Sequence, residues 1–145
     1  MKIMNLVPLL IFARGLMACA QVGSLPPDQI SANLGPILKI EDKVKQVISC
    51  GQVLDSLGGM TEENVETFKA HLDVFNVYYL AATIHLAEGN TKSYLAHVKS
   101  AEKELRAIEA MLKDKIGELG DSNSARKEAL LNQSCKPRGR NVRVL

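Results

Sequence analysis

The chain has 145 residues, 46% hydrophobic and 23% charged, which suffices for one domain with a core and excludes a disordered or collagen-like chain. Aromatics are only 4% and Trp is absent, which argues against a groove or core of stacked rings. The net charge of +2 is unevenly spread: residues 1–20 and 136–145 hold bases and no acid, while residues 21–135 hold 12 bases against 16 acids.

The chain begins MKIMNLVPLLIFARGLMACA. Lys2, the short apolar run Ile3–Ala13 and the small residues around Ala18-Cys19-Ala20 have the layout of a secretory signal. The run falls short of the ~20 apolar residues of a transmembrane helix, and Arg14 closes it. Leu16-Met17-Ala18-Cys19 resembles the lipobox of bacterial lipoproteins, with Leu three residues before the Cys and a small residue just before it. The resemblance covers the leader alone. It implies that the Cys19 thiol takes a diacylglycerol and becomes the new N-terminus. With Ala20 and no Asp after the Cys, it further implies sorting to the outer membrane. An ordinary signal-peptidase cut after Ala20 is the other route, and it would leave a soluble periplasmic protein. The expected organisation is a leader over 1–20, a tether and short turn over 21–36, a helical bundle over 37–135 and a basic tail over 136–145.

Once Cys19 is set aside, Cys50 and Cys135 remain, an even pair that an oxidising compartment would join in a disulfide. There is no C-x-x-C redox motif and no C-x-x-C-H haem attachment site.

The mature chain reads as all-α, an antiparallel up-and-down bundle of three long helices and a short fourth. A short turn or helix fragment from Pro26 reaches about Asn33, and Gly35-Pro36 is expected to break it and to start the first long helix. Ile37, Ile40, Val44, Val47, Gly51, Leu54 and Leu57 step by threes and fours along that helix, and Gly58-Gly59 ends it. Thr61 is placed to cap the second helix, with Met60 and Val65 as a hydrophobic staple and Glu62 and Glu63 at the positive end of the dipole. Its seam is Val65, Phe68, Leu72, Phe75, Tyr79, Ala82 and Leu86. Val77, Tyr78, Ala81 and Ile84 form a second set from Val74 onward, which predicts that the later half of this helix is the most buried piece of the fold.

Glu88-Gly89-Asn90 is a tight turn, with Asn90 or Thr91 as the next cap. The third helix runs to about Leu119 on a seam of Tyr94, Val98, Ala101, Leu105, Ile108, Leu112 and Leu119, with Leu95 and Ile116 beside it. Its other face alternates charge, with pairs such as Glu102–Arg106 and Glu109–Lys113, and reads as a solvated surface. Gly120 to Asn123 break the chain, and a fourth helix covers about Ser124–Ser134. Short loops make neighbours antiparallel. The helical hairpin at Gly89 resembles one tetratricopeptide unit, but no second copy follows at that period, which rules out a solenoid.

No catalytic constellation can be picked out. The chain has no G-x-S-x-G, P-loop or G-x-G-x-x-G. His71 and His85 stand about 20 Å apart on one helix, too far to share a metal, and neither belongs to an H-E-x-x-H or an i,i+4 His pair. His85 and His97 can approach across the hairpin. Met60 and Met111 read as core filler rather than haem ligands. Lys136, Arg138, Arg140 and Arg143 lack interleaved aromatics and follow an acidic body, so nucleic acid is not the expected partner. An acidic envelope partner or anionic lipid suits this tail better. The expectation is therefore a small, non-catalytic, lipid-anchored protein-binding module of the envelope, with no cofactor and no metal. It would serve as an immunity or exclusion factor or as an accessory to a secretion apparatus. The alternative is a periplasmic bundle that binds a hydrophobic ligand or cofactor between its helices. A sealed interior fits the first reading and a lined apolar cavity the second.

Overall fold

The computed structural model describes residues 27–119 and 125–136, so Cys19 with the leader and Arg138, Arg140 and Arg143 of the tail lie outside the described residues. Four helices follow in order: α1 (Pro27–Ser56), α2 (Glu62–Ala87), α3 (Thr91–Glu118) and α4 (Ala125–Cys135). No strand occurs among the described residues. The fold is an all-α bundle in which the chain runs up, down, up and down. α3 packs along α2 and α1, α1 touches α2 over a shorter stretch, and α4 lies against α1.

The three seams meet in one core. Phe68, Phe75, Tyr79 and Tyr94 fill its middle together with Ile37, Ile40, Leu54, Leu72, Leu105 and Ile108, all essentially sealed from solvent. α1 approaches α2 closely at Gly51, where a Cβ would stand 2.9 Å from the Phe68 ring.

The helix ends follow their local chemistry. Gly58 takes a φ of +73°, and Gly59 N–H closes α1 on the Leu54 carbonyl at 2.8 Å. The Thr61 hydroxyl accepts from Asn64 N–H at 3.2 Å, and Asn64 Oδ1 accepts in return from Thr61 N–H at 3.2 Å, a reciprocal cap for α2. Gly89 turns the chain with a φ of +75°, and the Asn90 side chain caps α3 by accepting from Ser93 N–H at 3.1 Å.

Three expectations are corrected. Gly35-Pro36 does not break the chain: α1 is one helix of 30 residues with Pro36 inside it. Proline removes a donor and crowds the preceding turn. Here the Tyr94 hydroxyl enters the opened ladder, donating to the Asn33 carbonyl at 2.5 Å and accepting from Ile37 N–H at 3.2 Å. An unbroken helix would join those two groups directly. Gly35 helps as well, because without a Cβ it avoids the clash that a residue before proline usually suffers in a helix.

Secondly, the later half of α2 is not the most buried piece. Val77 is 65% exposed, Ile84 54% and Val74 42%. At 100° per residue Val74, Val77, Ala81 and Ile84 fall on the side of α2 away from the seam that α1 and α3 cover, while Tyr78 packs at the edge of the core. Thirdly, Glu109 pairs with Lys43 of α1 at 3.2 Å rather than with Lys113, tying the two parallel helices together.

Candidate functional site

Cys50 and Cys135 are joined in a disulfide with a Cα–Cα distance of 4.7 Å, fastening the end of α4 to α1. Gln46 lies one turn before Cys50, and its Nε2 donates to the Cys135 carbonyl at 3.3 Å. Leu131 and Cys135 are the apolar residues of α4 that reach the core. Lys136, the one basic tail residue among the described residues, is exposed just past α4.

The histidines separate into two environments. His71 Nδ1 meets Glu104 Oε2 at 2.7 Å, a polar tie between α2 and α3 at the edge of the core. His85 and His97 do approach across the hairpin, with parallel rings whose centroids are 5.1 Å apart, and Tyr78 flanks His97 at 6.2 Å. His85 also meets Glu88 at 3.1 Å. Stacked rings aim their nitrogens sideways rather than at a common point. Among the described residues no group of three or more His, Cys, Asp or Glu converges as a metal site.

The core also holds polar groups with partners inside it, among them Thr83, whose hydroxyl donates to the Leu80 carbonyl at 2.7 Å. The Tyr79 hydroxyl donates to the buried Glu41 carboxylate, joining α2 to α1. Burial holds the Tyr94 phenol above its ordinary range, and the hydrogen bond from Ile37 N–H works in the opposite direction.

Two surface features remain. The first is the outer stripe of α2, where Val74, Val77, Ala81 and Ile84 fall within about 80° of one another. The second is an open cleft of about 830 Å³ between the first half of α1 and the first half of α3. Its floor is Pro36, Leu95 and Val98, and its charged lining is Lys39, Lys99, Lys103 and Arg106 with Glu102. Sequence reasoning placed these α3 charges on a solvated face and missed the cleft. The signal was the row of bases at 99, 103 and 106, but its meaning depended on the parallel docking of α1, which brings Lys39 opposite. The outer stripe is legible in the sequence as an apolar set, but Val74, Val77 and Ile84 lie at the surface and not in the core.

No family model, curated protein or solved structure matches the chain. Among the described residues, no helix is long and apolar enough to cross a membrane.

Proposed function

We propose that this protein is a small exported helical module of the bacterial envelope, anchored through a lipid on Cys19, that binds a protein partner and has no catalytic role. Immunity, exclusion or accessory service to a secretion apparatus is the kind of task such a module performs. The observation that carries the reading is the outer stripe of α2: Val74, Val77 and Ile84 are exposed on the side of the helix opposite its packed seam. A helix that is apolar on two opposite faces and buried on one presents the other to a partner. Among the described residues the large core rings are essentially without solvent contact, which supports a bundle that binds a protein through its outer surface. The cleft is half charged in its lining and open to solvent, unlike an apolar ligand cavity.

The test is site-specific photo-crosslinking in the native host. A benzophenone amino acid at Val77 should give one discrete adduct with another envelope protein, and the same probe at exposed Lys113 should give none. Val77→Glu should abolish function in the host without lowering the melting temperature. Equal labelling from both positions, or an adduct of twice the chain's mass, would overturn the reading, the latter in favour of self-association.

A further inference from the structure

The cleft between α1 and α3 inverts the charge of the acidic body around it. Lys39 faces it from α1 and Lys99, Lys103 and Arg106 from α3, with Glu102 the single acid among ten lining residues. Residues 21–135 as a whole carry 12 bases against 16 acids. Lys39, Lys99 and Lys103 have no ion-pair partner among the described residues, and Arg106 reaches Glu102 only at 4.0 Å. Spacings of four and three set the α3 cations in one row about 10 Å long. Leu95, one turn before Lys99 in the same row, is 46% exposed, and Pro36 and Val98 complete the apolar part of the lining, the floor.

We infer that this cleft docks an acidic amphipathic helix of a partner protein, an inference that rests on the reading of the chain as a protein-binding module. Two parallel helices leave a straight groove between them. On α3 the lining runs from Leu95 to Arg106, about 17 Å or three turns of a third helix, and α1 borders it from Gly35 to Lys39. Apolar side chains at helical spacing would occupy the floor, and carboxylates spaced by four and three would meet Lys99, Lys103 and Arg106. Lys39 closes the opposite rim. The floor supplies the affinity and the cations supply orientation and selection against basic helices. A flat anionic bilayer would touch the rim and leave the floor unfilled, so a rod-shaped partner matches the shape better than a membrane surface does.

The experiment titrates the purified, oxidised full chain into a fluorescent synthetic helix of about 15 residues, with Leu along one face and Glu beside it. Saturable micromolar binding that weakens as salt is raised is expected. Lys99→Glu with Lys103→Glu should lose at least about tenfold in affinity and should gain binding to the same peptide with Lys in place of Glu. Leu95→Ser should weaken binding while leaving its salt dependence intact. All three side chains are exposed, so unchanged melting temperatures are expected to accompany these losses. Lys113→Glu, on α3 but outside the cleft lining, should bind as wild type does.

No saturable binding, or an equal loss in Lys113→Glu, would overturn the assignment. So would charge-sensitive binding to phosphatidylglycerol vesicles in place of the peptide, which would make the rim a lipid contact. Failure here beside a discrete Val77 adduct removes the cleft inference alone, whereas loss of the Val77 adduct bears on the broader reading.

Discussion

Removing one oxygen atom from Tyr94 takes away the hydroxyl that bridges two backbone groups of α1 across the proline gap. The Asn33 carbonyl loses the hydroxyl's hydrogen bond and Ile37 N–H loses its acceptor, with Ile37 sealed from solvent and Asn33 half-buried. Tyr94→Phe is therefore expected to lower stability by about 1–3 kcal/mol in urea denaturation, and to speed exchange of the Ile37 amide more than of Ile108. An unchanged midpoint would show that the helix ladder closes without the hydroxyl. The same group sets a dependence on pH. Its folded-state value is raised because burial favours the neutral phenol. Folding then holds this proton more tightly than the unfolded chain does, so the contribution is complete below about pH 10 and is lost as pH climbs through the raised value. Between the two values Tyr94→Phe should show a shallower alkaline decline than wild type, and equal slopes would assign that decline to other groups.

Among the elements, α4 depends most on covalent help. It has 11 residues, below the length at which helices persist alone in water, and it touches the core through Leu131 and Cys135. The Cys50–Cys135 bridge spans 85 positions of the chain, for which the chain-entropy argument allows up to about 4.6 kcal/mol. Cys50→Ser with Cys135→Ser should lose a large part of that, and α4 amides should lose exchange protection before those of α2 and α3. Thiol titration of the protein from its native compartment, unfolded without reductant, should find neither Cys50 nor Cys135 free. Two free thiols there would remove the bridge and weaken the export reading with it. The seams of all three long helices were legible in the sequence because a 3.6-residue period leaves its mark wherever one side of a helix is buried. Thr61, Gly58 and Gly89 were legible because caps and turns are local chemistry. The continuity of α1 was not, since the hydroxyl that completes the ladder around Pro36 comes from a residue on a helix two elements away. Nor was the outward side of α2, because periodicity shows that Val77 and Ile84 share a face without saying whether another helix covers it.

At the scale of the whole molecule, the parallel course of α1 and α3 puts both of their N-termini and the end of α2 at one end of the bundle. The α1 side of the cleft starts near that end, since Gly35 lies only about 12 Å along α1 from Pro27. If Cys19 carries a lipid, residues 20–26 span at most about 25 Å, and the cleft then stands within roughly 40 Å of the membrane surface. Anchoring would thus hold the cationic rim where an envelope-bound acidic partner can reach it, with the outer stripe of α2 facing away from the packed seam. This arrangement depends on acylation of Cys19, which feeding cells an alkyne-tagged fatty acid tests directly. The wild-type chain should become labelled and sediment with the outer membrane, whereas Cys19→Ala should stay unlabelled and lose the anchor. Cys19 is not one of the disulfide cysteines, so the same substitution should leave the Cys50–Cys135 bridge intact and the melting temperature of the bundle unchanged. Equal labelling of both forms would sink the anchor, and an uncleaved leader in the wild type would sink export as well. Loss of label together with loss of the fold would show instead that Cys19 belongs to the structured body, contrary to its reading as a processing site.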